Sequence, residues 1–304
     1  MKTIWLFYAR DAYTMARHYD YALRKLGHKV LSFGQNNEYP TGNQVVVPEM
    51  LKKFSPPDLI LNFDGFSPMV LLGLSQVPCP KAAYVIDTHI SEERGVTLFE
   101  YDRLFVCHFA TVKKWSSMKP DWVQWLPSAA DEEIHREIPH VPVVYDSAFV
   151  GGIDLFEVHH TRRACLKALL ASDLRVFAGR TTGLFMSFIY SKSKTVFNYS
   201  IKSEINMRMM EALAVKRVLV TNIIDPDQGF EALGFKPNEN CLIYSTPEEC
   251  AAVTKKIVGE YSRLKKIGQA GYELFMEKHT YRHRAETVLN ELASIDKKPD
   301  TVKA

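Results

Sequence analysis

Cysteine is scarce and scattered in this 304-residue chain: Cys79, Cys107, Cys165, Cys241 and Cys250 are odd in number and include no Cys-x-x-Cys pair. That argues against a disulfide framework and a thiolate metal clamp, and reads as reduced thiols. Glycine and proline number 15 each, which excludes collagen-like and low-complexity chains. An excess of one charge is missing too, since 38 Lys+Arg against 35 Asp+Glu leave a net +3. Neither an acidic disordered tail nor a polybasic arm fits that balance. Long apolar runs are absent: at the amino terminus, Ile4 to Ala9 is apolar for six residues before Arg10, too short for a signal sequence or a membrane span. These absences together read as a soluble, cytoplasmic protein.

Several catalytic signatures are lacking as well. There is no Gly-x-x-x-x-Gly-Lys-Ser/Thr phosphate loop, no Gly-x-Ser-x-Gly nucleophile elbow and no Gly-x-Gly-x-x-Gly after the first strand. Phosphate-loop NTPases, serine hydrolases and ordinary dehydrogenases lose ground accordingly. Ten histidines are present, but no His-x-x-x-His pair comes with the carboxylate that a zinc site uses.

What is present is an alternation of short apolar runs with helical patterns, the mark of parallel sheets with crossover helices. Thr3–Ala9 reads as a buried strand, Thr14–Leu26 as an amphipathic helix, Gly27 as its cap and His28–Phe33 as the next strand. Further strands are expected at 58–63, 82–86, 104–107 and 122–126, and a second set at 148–150, 174–177, 195–197, 218–220 and 242–244. Helices at 160–171, 206–216 and 247–257 separate the later ones. Between Ser128 and Tyr145 the periodicity breaks at Asp131-Glu132-Glu133, Pro139 and Pro142, a linker signal. The expectation is two α/β halves, residues 1–138 and 139–304, the second with a frayed tail.

Polar residues at the carboxyl ends of such strands are the first candidates for chemistry. If Asn206 begins a helix, Arg208 and Glu211 share a face near its amino end, where free N–H groups and the helix dipole favour an anion such as a diphosphate. From spacing alone, Glu204, Arg208 and Glu211 equally describe a surface ion-pair row. Arg180 ends Val176-Phe177-Ala178-Gly179, within reach of a β-phosphate or merely exposed. Arg162 and Arg163, beside His159 and His160, read as an exposed basic face. In the first half, Asp87-Thr88-His89 follows a buried strand, so Asp87 or His89 could take a proton from an acceptor hydroxyl, or simply cap the loop. Tyr8-Ala9-Arg10-Asp11 and Asp64-Gly65 occupy corresponding strand ends.

The run Tyr190-Ser191-Lys192-Ser193-Lys194-Thr195-Val196-Phe197-Asn198-Tyr199-Ser200, followed by Asn206-Met207-Arg208 and Glu211-Ala212-Leu213-Ala214, resembles the donor-binding half of group 1 glycosyltransferases. The likeness is to the CgeB-like, spore-maturation-protein-like branch in particular. Phe149-Val150-Gly151-Gly152, Trp125-Leu126-Pro127 with Ala129-Ala130-Asp131, and His279-Thr280-Tyr281 with His283-Arg284-Ala285 agree in order, over roughly residues 80 to 290.

The resemblance implies the GT-B architecture: two Rossmann-like domains facing an interdomain cleft, with a nucleotide-diphosphate sugar held by the carboxyl-terminal domain and the last helix packing back on the amino-terminal one. It implies transfer of a hexosyl or pentosyl group to an acceptor hydroxyl, without cofactor or metal, the leaving diphosphate being stabilised by arginine and helix-end N–H groups. Arg208 would contact the diphosphate and Glu211 the ribose, while Gly151 and Gly152 would let the interdomain loop approach the donor or acceptor closely; Asn206 at the helix start and Arg180 at its strand end complete the donor-site candidates. The chain departs from the wider family in having six residues between Glu204 and Glu211 instead of seven, and Val215-Lys216 where a glycine often follows. The acceptor stays open among glycan, small molecule, protein and modified DNA. Trp115, Trp122 and Trp125 near Lys113, Lys114 and Lys119 would serve the last of these, or else simply pack. A non-catalytic nucleotide-sugar-binding or scaffold protein is the remaining alternative.

Overall fold

A computed structural model describes residues 1–10, 14–64, 69–88, 98–153 and 159–295. The chain forms two compact units: Met1–Pro127 together with Tyr281–Ala304, and Ser128–Thr280.

In the first unit the strands are β1 (Thr3–Phe7), β2 (Lys29–Phe33), β3 (Gln44–Val46), β4 (Leu59–Asp64), β5 (Val70–Leu72), β6 (Lys81–Val85), β7 (Arg103–Val106) and β8 (Val123–Trp125). Helices α1 (Ala16–Lys25), α2 (Val47–Met50) and α3 (Phe109–Ser116) lie between them. Six strands form one parallel sheet in the order β2-β1-β4-β6-β7-β8, and β3 pairs with β5 separately. Near-continuous burial of Ile4, Trp5, Leu6 and Phe7 in β1 is what a sheet covered on both faces requires. Gly27, at φ 85°, closes α1: its N–H bonds Arg24 O at 3.0 Å and that of His28 bonds Leu23 O at 3.2 Å.

The second unit holds β9 (Tyr145–Val150), α4 (His160–Leu170), β10 (Val176–Gly179), α5 (Gly183–Ser191), β11 (Ser193–Phe197), α6 (Met207–Ala214), β12 (Val218–Asn222), β13 (Leu242–Tyr244), α7 (Pro247–Gly259), α8 (Tyr261–Leu264) and α9 (Lys266–Lys278). Its sheet is parallel throughout, ordered β10-β9-β11-β12-β13. The final helix, α10 (Tyr281–Ile295), belongs to the first unit, where Tyr281 stacks on His18 at 4.9 Å and Arg284 Nε bonds Pro127 O at 2.8 Å.

The units divide after Pro127, upstream of the boundary expected at 138, and the reason is local. Ser187 Oγ of α5 donates to Ile134 O at 2.8 Å, Ser191 Oγ accepts from Ile138 N at 2.9 Å, and Arg217 holds Glu137 at 2.8 Å. Hydrogen bonds to α5, not periodicity, decide where residues 128–138 belong.

The turn after α6 takes the form seen after α1 although its glycine is missing. Lys216 adopts φ 58°, with its N–H on Leu213 O at 3.0 Å and that of Arg217 on Ala212 O at 3.2 Å. A lysine in that conformation costs about 1–2 kcal/mol relative to an ordinary helical one. Its ammonium lies 4.5 Å from the centre of the Tyr272 ring, a partial offset. Among the described residues no helix is long and apolar enough to cross a membrane.

Candidate functional site

In the second unit the carboxyl ends of β9, β11 and β12 run into Gly151-Gly152, Asn198–Ser200 and Asn222. Asn206 caps α6 as its position suggests, its Oδ1 accepting from Met209 N at 3.3 Å. Met209, Met210, Ala212, Leu213 and Ala214 bury one face of that helix, which leaves Arg208 and Glu211 on the half-buried side.

Arg208 bridges two strand ends. Its Nε donates to Val150 O at 2.8 Å and its Nη1 to Asn198 Oδ1 at 2.9 Å, while the guanidinium carbon stands 4.4 Å from the centre of the Phe149 ring. Nη2 lies against Gly151, and a Cβ on that residue would overlap it. At Gly151 the side chain that makes a close approach is thus that of Arg208. The hydrogen bonds of Nε and Nη1 go to carbonyl and amide oxygens and the guanidinium also faces the Tyr190 hydroxyl, so uncharged groups orient its charge without cancelling it.

Asn198 holds this arrangement together. Its Nδ2 donates to Ser200 Oγ at 3.0 Å and Thr221 Oγ1 at 2.9 Å, and its carbonyl accepts from Tyr244 OH at 2.7 Å. Asn222 Oδ1 accepts from Ser200 N at 2.6 Å. The loop leading to α6 then places Lys202 and Ser203 at φ 49° and 58°, two successive left-handed residues that persist where surrounding bonds over-determine the backbone. Glu204 precedes the helix in an extended conformation, so it does not share a helical face with Arg208, and the surface ion-pair row does not form along α6.

Glu211, one turn into α6, is half-buried, and His135 Nε2 stands 3.9 Å from its Oε1. Because His135 Nδ1 accepts from Asp131 N at 2.9 Å, the neutral imidazole carries its proton on Nε2, toward the carboxylate. Nothing in the sequence marked His135, since its neighbour lies far along the chain. Tyr190 packs behind the pair; burial pushes its phenol well above the ordinary range against the opposing pull of Arg208, so it stays neutral.

Arg162 corrects an expectation. It is buried, with Nη1 on Gly152 O at 3.0 Å and Nη2 on Tyr199 O at 3.3 Å, and it braces the loops after β9 and β11 instead of lying on an exposed basic face. Its position was readable, because Arg162 precedes the buried Cys165, Leu166 and Leu169 at helical spacing. Arg180 is exposed just past the edge strand β10. Lys194 pairs with Asp146 at 3.0 Å.

In the first unit, Asp87 lies two residues beyond β6, half-buried and left-handed at φ 56°, and the neighbouring Thr88 Oγ1 is 2.7 Å from Thr111 Oγ1. His89, Asp11 and Gly65 fall outside the described residues. Tyr8 is buried, with its hydroxyl on Asp20 Oδ2 at 3.0 Å, which gives it a structural task. Trp115 and Trp122 are buried, leaving no faces for stacking bases. One Asp-x-Asp sequence, Asp225-Pro226-Asp227, follows β12, and both carboxylates are exposed.

A family model described as glycosyl transferase-like matches residues 161–290, the stretch that carries Arg162, Arg180, Asn206, Arg208 and Glu211. No curated protein matches the chain significantly by sequence. Solved structures do resemble it. Anabaena Alr3699/HepE, in complex with UDP and glucose, shares 10% identity at a TM-score of 0.71, covering 97% of this chain and 100% of that one. Sucrose-phosphate synthase (tll1590) from Thermosynechococcus elongatus shares 11% at 0.69, covering 97% and 99%. A glycosyltransferase from Rickettsia africae shares 12% at 0.68, covering 98% and 99%. At these identities the likeness establishes the fold: each unit is Rossmann-like, and the chain has the GT-B fold.

Proposed function

We propose that the protein is a glycosyltransferase that moves a sugar from a nucleotide-diphosphate donor to an acceptor hydroxyl, with the donor on the second unit. One observation carries the reading: Arg208, at the amino end of α6 and inside the segment matched by the glycosyl transferase-like model, is fixed between two strand ends by uncharged oxygens.

A diphosphate is the ligand this chemistry suits. Charge builds on it as the glycosidic bond breaks, and a preoriented guanidinium with the first amides of α6 stabilises that charge without reorganising. Asn206 contributes by fixing where the helix begins. Glu211, oriented by His135, accepts from ribose hydroxyls, and Arg180 supplies a second cation at the sheet edge. These cations stand in place of a metal in this reading. Asp87 is the acceptor base if the outcome is inversion; a retaining front-face reaction uses the departing phosphate oxygen instead. His89 is the alternative base. The CgeB-like branch and a cytoplasmic setting complete the proposal, and the UDP and glucose bound to the Anabaena protein make UDP-glucose the first donor to try.

The test is a thermal-shift and turnover screen with nucleoside diphosphates and their sugars. A ligand at a hundred times its Kd should stabilise the native state by about 2.7 kcal/mol. A shift with UDP that is lost in Arg208→Ala, together with donor consumption, supports the reading. No shift with any nucleoside diphosphate sinks it, and binding without turnover against a broad acceptor panel marks a non-catalytic binding protein.

A further inference from the structure

The carboxyl ends of β6 and β7 bring two titratable side chains together. In the sheet Val85 lies beside Val106, so the residues two positions further on, Asp87 and His108, leave neighbouring parallel strands side by side. One ring nitrogen of His108 and one carboxylate oxygen of Asp87 lie within 4.8 Å of each other. The two loops are tied at a second point, where Thr88 Oγ1 stands 2.7 Å from Thr111 Oγ1. Asp87 is left-handed at φ 56°, a conformation that persists where surrounding contacts hold it and that concentrates at functional sites.

His108 is an unusual choice for its place. It is the N-cap of α3, extended at φ −100° and ψ 118°, and its carbonyl accepts from Thr111 N at 3.1 Å. Ser, Thr, Asp or Asn would add a side-chain cap there, and the imidazole makes none. The helix start therefore does not account for the ring. His108 is buried, whereas Asp87 is half-buried. An acceptor hydroxyl arriving from solvent reaches the carboxylate more readily than the ring.

We propose that His108 is a positioning residue for glycosyl transfer, a role that rests on the reading of Asp87 as the acceptor base. Its ring N–H donates to the Asp87 carboxylate and fixes the oxygen that takes the acceptor proton. As the acceptor oxygen bonds the anomeric carbon and the bond to the diphosphate breaks, the hydroxyl proton passes to Asp87 and the leaving diphosphate carries the negative charge away. A carboxylate that rotates presents its oxygens in several orientations, and a buried donor selects one before the acceptor arrives. Catalytic hydrogen bonds of this kind shorten when a substrate binds.

Transfer kinetics and UDP calorimetry on variants of the full chain test this. His108→Ser keeps a good N-cap and removes the ring. It should lower kcat by about tenfold or more, within the roughly hundredfold or more that a general base contributes, with acceptor KM and UDP affinity nearly unchanged. One of His108→Asn and His108→Gln, whose amide N–H stands where ring Nδ1 or Nε2 does, should restore most of that loss. In an Asp87→Asn background His108→Ser should cost nothing further. If losing the ring lowers the melting temperature of His108→Ser, His108→Leu, which fills the space without an N–H, gives the same comparison against His108→Gln. Wild-type kcat without the ring, recovery in neither amide variant, or a further loss in the Asp87→Asn background overturns the proposal. A fall in UDP affinity assigns the ring to the donor and overturns it too. A wild-type chain that transfers no sugar overturns this role together with the parent reading, and whether UDP still raises its melting temperature tells a missing reaction from a missing donor site.

Discussion

The two parallel sheets end in different chemistry. In the first unit hydroxyls lie at the strand ends: Tyr8 on Asp20, Tyr84 OH on Leu126 O at 2.8 Å, and Thr88 against Thr111 beside the left-handed Asp87. In the second unit two guanidinium groups, from α4 and α6, reach over the strand ends onto carbonyl and amide oxygens and flank the Phe149 ring at 5.6 and 4.4 Å. Architecture is shared while the charge is not. A parallel sheet offers a place for a ligand, and the side chains that brace its carboxyl edge decide which ligand.

The sharpest way to break the comparison is Asp87→Asn. Both residues tolerate the left-handed backbone, so the fold should stand while a general base is lost. Glycosyl transfer should fall by about a hundredfold or more, with UDP affinity by calorimetry unchanged, since Asp87 lies outside the unit that carries Arg208. Transfer at the wild-type rate would leave the departing phosphate as the base and make the loop after β6 structural.

Arg208→Ala attacks the other side. Donor turnover should drop by roughly 2–4 kcal/mol of transition-state stabilisation. Stability should fall as well, by about 1–3 kcal/mol, because Val150 O and Asn198 Oδ1 lose their donor. Gly151→Ala, which leaves the arginine in place but drives Nη2 aside, should reproduce the kinetic defect. Normal kinetics in both variants would remove the diphosphate role.

Glu211→Gln and His135→Phe should each raise the donor KM about tenfold with little change in kcat, as a contact made equally in ground and transition states requires. Combined, they should cost no more than the worse single variant, because one acts through the other. Additive losses would separate His135 from the carboxylate.

The smallest expected effect concerns the matched turns. Gly27→Ala should destabilise by about 1 kcal/mol through its positive φ, and Lys216→Gly should stabilise by about 1 kcal/mol or less, since the Tyr272 contact is lost as strain is relieved. Chemical denaturation measures both. Equal and opposite signs would show the two turns to be one motif with different residues.

Much of this was legible because it depends on neighbours in sequence. Every strand expected from apolar runs is present, Asn206 caps its helix, and Gly27 closes α1. Val215-Lys216 stands where a glycine often follows Ala214, yet Lys216 adopts the glycine's conformation, since bonds to Ala212 and Leu213 outweigh a left-handed penalty that composition cannot reveal.

By itself, then, the amino-acid sequence determined periodicity, caps and the alternation that yields parallel sheets, because 3.6-residue and two-residue repeats act over a few positions. It also placed Arg208 and Glu211 on one helix. Only the tertiary structure decided that Arg208 would lie over Gly151 and Asn198, that the inward-facing Arg162 would meet Gly152 and Tyr199 there, and that His135 would face the sequence-distant Glu211. Those contacts are hydrogen bonds and ion pairs across long sequence separations. Their partners are chosen by which strand ends the sheet order brings side by side, and no local pattern encodes that choice.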